Sequence, residues 1–393
     1  MEKTLSIAVT GSGIAGLASA LFLSRAGHQV TIIERFKTPQ PIGSGLVIQP
    51  VGQNVLAKLG LLDNVIKQGQ KIYNMSGIDS RTRKSVLNVA YGPNDGERFG
   101  LAIHRATLFD CLYTAAKTTP HIKFQNNHQV ISSHTTPEGR FVNTNKKVFG
   151  PYDLVIDATG AHSPLSPIHT KALGYGALWG TVDWPQATTL PTNKLSQCYQ
   201  NASHMMGVLP LGTLPNDRYP KAAIFWSEPR QNLPHFNPKD FPLWQERTID
   251  LWPEFEPFIR QLNNPTQLTP AIYSHGTLGK PYMKRLVFIG DSAHQASPQL
   301  GQGANMALLD ADALQNALIK NELKKALKIY AHRRRIHIWL YQFISAIFTP
   351  FYQSNSKVLP FFRNHVMNPL SYIWPVKPLL TKLVCGTLVN PNT

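Results

Sequence analysis

Two neighbouring stretches decide the fold: Leu5-Ser6-Ile7-Ala8-Val9-Thr10-Gly11-Ser12-Gly13-Ile14-Ala15-Gly16-Leu17, and Val30-Thr31-Ile32-Ile33-Glu34-Arg35. Leu5 to Val9 is a short apolar run with β-branched members, which predicts a buried strand. Leu17 to Ala26 has the composition of a helix, and Gly27 stands where a helix stops. Val30 to Ile33 reads as a second strand, so the whole is a strand–helix–strand unit of about thirty residues. Gly11, Gly13 and Gly16 have separate tasks in such a unit. The first allows the tight turn, the second lets the backbone approach a pyrophosphate, and the third lets helix and strand pack closely. Ser12, Ile14 and Ala15 then offer backbone N–H groups at the positive end of the helix. Glu34 follows Gly16 by 18 residues at the end of the second strand, where a carboxylate accepts from ribose hydroxyls, with Arg35 beside it. A dinucleotide site is the expectation.

Outward from this unit, a glycine-rich loop from Gly43 through Gly45 leads to a predicted helix over 53–61. Residues 72–100 alternate weakly and carry the turn signal Gly92-Pro93-Asn94-Asp95-Gly96, which reads as hairpin. His104 to Lys117 is helix-like, and short strands then lead to the buried strand Leu154-Val155-Ile156. The stretch 172–272 is rich in Pro, Trp and Tyr and poor in helical periodicity, so it is expected to be mostly β. A last buried strand, Leu286 to Ile289, runs into Gly290-Asp291-Ser292-Ala293-His294, and a helix is expected over 303–319. At 393 residues the chain exceeds one ordinary core of about 250–300, and two intergrown domains are expected. Their segments are 1–71, 101–171 and 273–322 for the nucleotide-binding part, and 72–100 with 172–272 for a β-rich substrate part.

The loop ending the last strand makes the site more specific. Asp291 at a strand's C-terminal end can accept from a sugar-chain hydroxyl. Pro298-Gln299-Leu300-Gly301-Gln302-Gly303-Ala304-Asn305 runs from loop into helix, with Gly301 and Gly303 letting N–H groups approach a planar ring. His294, taken alone, is given no catalytic role. Together, Gly11-x-Gly13-x-x-Gly16, Glu34-Arg35, His104-Arg105-x-x-Leu108 and Gly290-Asp291-x-Ala293-His294 with Pro298 and Gly301 to Asn305 resemble the class A flavoprotein aromatic hydroxylases, of the para-hydroxybenzoate and ubiquinone-biosynthesis hydroxylase type.

That resemblance implies an α/β fold: a Rossmann-like FAD-binding domain of the glutathione-reductase type, an inserted mostly β substrate domain, and a helical C-terminal segment. It implies non-covalent FAD, with the ADP half on the first unit, Arg105 near the pyrophosphate or ring, Asp291 on the ribityl-phosphate side, and the Val130 backbone at adenine. Gly45, Pro298, Gly301, Gly303, Ala304 and Asn305 complete the expected cofactor set. It further implies reduction by NAD(P)H, capture of molecular oxygen as a flavin hydroperoxide, and hydroxylation of a small aromatic or lipophilic molecule; the cofactor carries that chemistry and no catalytic side chain is assigned. Trp179, Trp184, Tyr199, Phe225 and Trp226, with His204-Met205-Met206, supply aromatic and apolar surface, expected to be more core than pocket.

The chain departs from the family's Asp-Gly-x-x-Ser-x-x-Arg segment: in Asp157-Ala158-Thr159-Gly160-Ala161-His162-Ser163-Pro164-Leu165-Ser166, Thr159 replaces the Asp and Ser166 the Arg. That segment contacts FAD and the nicotinamide cofactor in the family, so reduction by a reductase partner or by substrate stays open. A flavin oxidase, dehydrogenase or halogenase on the same scaffold is the alternative; the halogenase is disfavoured because this chain has no Trp-x-Trp-x-Ile-Pro segment.

Lys plus Arg is 39 against 22 Asp plus Glu, a net charge of +17. Such a balance raises nucleic acid, anionic membrane or acidic ligands as partners. Nucleic acid is disfavoured: no zinc-finger spacing, RNP-like strand or basic-region heptad is present. Cys111, Cys198 and Cys385 lie far apart and cannot build a zinc site or disulfide framework, which favours a reducing cytoplasm. Met1 to Thr4 lead straight into the first strand without a signal-peptide pattern. Beyond Glu322 the chain has ten Lys and Arg and no acidic residue. Within that 323–393 segment, Ile336 to Phe348 is apolar nearly all round, with polar positions at 337, 342 and 345. Two expectations stand: a helical cap with its charges in solvent, or peripheral attachment to an anionic membrane at its inner face.

Overall fold

A computed structural model describes residues 4–38, 44–92, 96, 98–233 and 238–391. Four sheets organise the described residues. The first is six-stranded, in the order Tyr282–Met283, Leu286–Phe288, Leu154–Asp157, Ser6–Thr10, Gln29–Ile33, Ile122–Gln125, and all but its outermost strand run parallel. Its central strands read as unbroken apolar runs because both faces are covered. The Ile14–Arg25 helix packs on one face and is buried over all but its last residue. It lies against the Gly303–Leu318 helix, itself largely buried. Ala26 ends the first helix and Gly27 takes the left-handed turn at φ +87°.

The predicted elements fall close to place. The helix expected over 53–61 is Pro50–Lys58, with Pro50 at its first turn, and the one expected from His104 is Arg105–Thr118. Asn74–Asp79 and Ser85–Ala90 form the expected hairpin. Pro93–Asp95 of the expected turn, Met1–Lys3, and Gly43 of the glycine-rich loop lie outside the described residues.

The second large sheet has eight strands and combines that hairpin with strands from 171–229 and 269–277, closed at one end by His294–Gln295 from the nucleotide loop. Alternation divides its side chains between two faces. Leu178, Cys198, Met206 and Trp226 point into a core shared with Trp244, Trp252 and Phe255. Their chain neighbours Tyr199, Met205 and Phe225, with Trp179, pack on the opposite face, towards Tyr352. Two helices, Phe241–Leu251 and Glu256–Ile259, cover the first face, where the sequence predicts mostly β structure. They form because Phe241, Trp244 and Thr248 recur at helical spacing on a buried side, with Pro242 in the first turn. The short length of this amphipathic pattern hides it among aromatics.

The C-terminal segment is helical as expected. It consists of a thirty-residue helix, Leu323–Tyr352, followed by Val358–Phe362, a π-helical turn at Arg363–Met367, and Val376–Cys385.

Candidate cofactor and substrate site

Three adjacent parallel strands end at the same edge, and their C-terminal loops build the nucleotide cradle: Gly11 to Gly16, Ala158 to Ser166, and Gly290 to Asp291. Gly11 has φ +94°, and a Cβ there would stand 2.6 Å from the Ala158 carbonyl oxygen. At Gly16 a Cβ would stand 2.0 Å from the Gly11 oxygen, so the third glycine is what lets the helix sit on its strand. Gly13 faces open space, with nothing within 4 Å of its absent Cβ. The helix beginning at Ile14 has neither a capping side chain nor an acidic residue in its first turn. Its N–H groups are therefore left for an external anion. Buried Glu34 accepts from the Ser12 N–H and the Ser12 hydroxyl, both at 2.8 Å, and from the Phe36 N–H at 3.0 Å. It thus braces the glycine loop and, like Gly11 and Ser12, does not line the adjoining cavity. These features fit a dinucleotide diphosphate.

One continuous cavity of about 640 Å³ opens from this cradle. Gly13, Ile14, Ala15, Gly45 and Arg105 line it from the first half of the chain. Asp291, Pro298, Gly301, Gly303 and Ala304 line it from the second. Gly301 takes φ +61° there, and the Gly303 N-terminus of the long helix has open space before it. The other expected residues lie outside this wall. Gly11, Ser12 and Gly16 shape the cradle from behind, Arg35 is exposed with its guanidinium 4.6 Å from the Phe36 ring centre, and Val130 is buried among Ala8 and Ile33. Asn305 is fully buried, and its amide is engaged entirely by backbone: it accepts from Gln49 N–H at 2.9 Å and donates to the Val47 and Gly301 oxygens at 3.0 and 2.9 Å. It ties the Gly45–Ile48 strand to the glycine loop.

A buried charge cluster lies under the Asp291 loop. Asp310 accepts from the Gly290 N–H at 2.8 Å, from His294 Nε2 at 2.6 Å and from Arg334 Nε at 2.8 Å. Burial would push the Asp310 carboxyl up, but His294 and Arg334 outweigh it and hold it at about 2. His294 is packed and hydrogen-bonded to Asp310 under the loop. Arg334, from the basic tail, is fully buried, a position its sequence context gave no sign of.

The divergent 157–166 segment is closed on itself. Asp157, fully buried, accepts from the Thr159 hydroxyl at 2.6 Å, the Thr159 N–H at 3.1 Å and the Ser163 hydroxyl. Burial nonetheless pushes its carboxyl upward. Ser166 donates to the Ser292 oxygen at 2.6 Å, stitching this loop to the Asp291 loop.

At its far end the cavity is apolar and aromatic. Trp179, Tyr199, Met205 and Phe225 line it, whereas Trp184 and Trp226 belong to the core behind the sheet. Sequence reasoning missed the opposite wall, where Phe348, Tyr352, Arg363, Leu380 and Leu383 come from the C-terminal helices. Only the long-range fold brings those residues to the sheet.

A parallel sheet covered on both faces, an uncapped helix facing three convergent strand ends, and a second glycine loop set against an apolar, aromatic-lined chamber fit a flavin-dinucleotide oxidoreductase. The family model for the FAD binding domain matches residues 4–341, and the chain belongs to that family, among the FAD-dependent aromatic hydroxylases; it is an FAD-dependent monooxygenase. It is 24% identical over 345 residues to 3-hydroxybenzoate 6-hydroxylase of Klebsiella oxytoca, covering 81% of each chain. It is 24% identical over 344 residues to 3-amino-4-hydroxybenzoate 2-monooxygenase of Streptomyces cremeus, covering 81% of this chain and 79% of the other. Its fold superimposes with a TM-score of 0.79 on Klebsiella pneumoniae HpxO complexed with FAD and uric acid, at 18% identity and over 98% of both chains.

Proposed function

We propose that this monooxygenase inserts one oxygen atom into an apolar, ring-bearing small molecule held between the eight-stranded sheet and the C-terminal helices, with NAD(P)H as reductant. The observation that carries this is the continuity of the cavity from the uncapped nucleotide cradle to the aromatic chamber. FAD, when bound, supplies the reducing and oxygen-activating chemistry. The chain's own residues bind and shield. Gly13 to Ala15 meet the diphosphate, and Gly301 with Gly303 leave room for the ring. Trp179, Tyr199 and Phe225 exclude water from the substrate. Residues 1–71, 101–171 and 273–322 hold the cofactor, 72–100 and 172–272 supply the sheet wall, and 323–393 close the chamber. The relatives act on hydroxylated benzoates, which supports a small aromatic ring as the substrate's reactive part.

The test is anaerobic stopped-flow mixing of the FAD-loaded protein with NADH or NADPH, with and without candidate phenols. Bleaching of the visible flavin band, accelerated by a bound phenol, is the expected result. A flavin that neither nucleotide reduces would replace NAD(P)H by a reductase partner or by substrate.

A second reading concerns where the enzyme sits, and the orientation of the Leu323–Tyr352 helix favours it. Four of its polar residues, Arg334, His337, Ser345 and Thr349, point inward. His337 donates to the Gly386 oxygen, Ser345 and Thr349 bond Ser297, and Arg334 reaches Asp310. Ile336, Trp339, Phe343 and Ile347 form an outward stripe, 46–61% exposed. Phe361, Ile373 and Trp374 are further exposed apolar side chains of the tail, and exposed Lys357, Lys377 and Lys382 lie in the same acid-free segment. Aromatics interleaved with cations suit an anionic lipid face, where each cation contributes about 1 kcal/mol. No helix among the described residues is long and apolar enough to cross a membrane. Co-sedimentation with phosphatidylglycerol vesicles but not phosphatidylcholine vesicles, weakened by salt, is expected; equal recovery with both would discard the lipid surface.

A further inference from the structure

Arg363 is the second fully buried arginine of the tail, and unlike Arg334 it has no carboxylate partner among the described residues. Its Nη1 donates to the Asn201 and Phe351 oxygens, both at 3.1 Å, and its Nε to Asn364 Oδ1 at 2.9 Å. The guanidinium carbon lies 4.9 Å from the Tyr199 ring centre and 5.4 Å from that of Tyr352. Those two rings and Arg363 itself line the cavity. The remaining nitrogen, Nη2, is buried and finds no hydrogen-bond partner among the described residues. No acidic oxygen comes within ion-pair range of Arg363 in the described residues; nearby Asp79 is engaged by its own turn, accepting from Arg81 and Thr82.

A guanidinium is always charged and cannot shed its proton to escape an apolar site. Folding it into a chamber without a counter-charge is unfavourable unless something supplies one. The two tyrosine rings hold the cation within cation–π range, and Nη2 is the one guanidinium nitrogen left without a hydrogen bond among the described residues. Backbone oxygens fix the Nη1 side, so the fork is preset rather than mobile. The π-helical turn that carries Arg363 is the kind of helical irregularity that recurs at functional sites.

We propose that Arg363 is the anion receptor of the substrate chamber, with Nη2 donating to a carboxylate or phenolate oxygen of an otherwise apolar, ring-bearing substrate. This rests on the assignment of the cavity as a flavin monooxygenase's substrate chamber, and narrows it from any lipophilic molecule to an amphiphilic one with an oxyanion at one end. Arg363 is a specificity-determining residue of the chamber, and no catalytic role is assigned to it.

The FAD-loaded full chain is titrated with naphthalene-2-carboxylate and with naphthalene-2-carboxamide, of nearly the same shape, following the perturbation of the flavin spectrum. Wild type is expected to bind the carboxylate at least about tenfold more tightly, the scale of a charge-assisted hydrogen bond. Arg363→Gln is expected to reduce that preference below about twofold, and Arg363→Lys to restore part of it. Equal affinity of the wild type for the two probes overturns the proposal even where Arg363→Gln fails to fold, and so does a preference that survives in a folded, yellow Arg363→Gln. Failure of both probes to perturb a bound flavin overturns the assignment of the chamber itself, and the anion receptor with it.

Discussion

The helices Ile14–Arg25 and Leu323–Tyr352 are both apolar over much of their length, yet the molecule uses them in opposite senses. The first is buried nearly all round, and what it offers to function is its bare N-terminus. The second is turned partly inside out: Arg334, His337, Ser345 and Thr349 are buried alongside Ile338 and Tyr341, while Ile336, Trp339, Phe343 and Ile347 face outward. For the first helix, burial follows from composition, since a helix without a polar face has nowhere else to go. For the second, orientation is decided by distant hydrogen-bond partners: Asp310, Gly386 and Ser297 each require a polar group from the tail. Apolar content sets whether a helix is buried. Which face is buried depends on the partners waiting in the core.

The sharpest break of the comparison is at the first helix. Gly16→Ala places a methyl 2.0 Å from the Gly11 oxygen, against backbone that cannot yield cheaply. Displacing the helix from its strand is expected to destabilise by about 3 kcal/mol or more and to scatter the N–H groups of the cradle. The purified variant should be colourless and fail to take up added FAD. A yellow Gly16→Ala of wild-type melting temperature would show that the close approach is not required.

In the second helix the corresponding loss comes from a charge. Arg334→Met leaves the fully buried Asp310 with one cationic partner fewer, and removing one member of a buried pair is destabilising by about 3–5 kcal/mol. The adjacent, exposed Arg335→Met is the control and is expected to stay within about 0.5 kcal/mol of wild type. Urea titration of the two variants measures the difference, and equal midpoints would mean that the tail is not anchored through Asp310. Acid adds a second signature of this cluster. Burial, reinforced by Arg334, lowers His337 from 6.5 to about 3. Between those values the unfolded chain binds a proton that the folded chain does not, so this group makes stability fall as pH drops below about 6.5, by about 1.4 kcal/mol per unit. Asp310 has the separate window below its ordinary 3.8, where protonation removes stability as pH falls towards about 2. His337→Gln is expected to flatten the slope between pH 6 and 4, read from urea titrations at several pH values; an unchanged slope would mean that His337 is not held neutral.

The same contrast explains what could be read from the chain beforehand. The glycines at 11, 13 and 16, Glu34, and the loop from Asp291 to Ala304 act through local backbone conformation, and local residue order specifies that. Within this legible set the family pattern sets Asn305 at the cofactor, while its amide is engaged by strand and loop backbone, because which way an amide turns depends on a strand 256 residues away. The tail's polar positions 337, 342 and 345 were visible as a helical period, but not which side of the helix would be inside. Eight of its ten cations remain at the surface; Arg334 and Arg363 do not, and nothing adjacent to either distinguishes it from its neighbours. The aromatics of 172–272 divide into pocket and core by strand alternation, which decides sides only once the register is known.

The smallest expected effect bears on the outward face. Replacing Trp339 and Phe343 with Ser removes two rings that stack on each other at 5.4 Å between centres and are 61% and 50% exposed. Were the helix apolar because it packs against this chain, each truncation would destabilise by about 3 kcal/mol or more. In the inside-out arrangement the rings give up little intramolecular contact, so the double variant should stay within about 1 kcal/mol of wild type by urea titration, with its FAD and its response to NADPH unchanged. What it should lose is recovery with phosphatidylglycerol vesicles, because apolar side chains that gain nothing from the fold gain from entering an interface. A strongly destabilised double variant would place the rings in the fold, and an undiminished vesicle affinity would leave the exposed cations as the whole of the attraction.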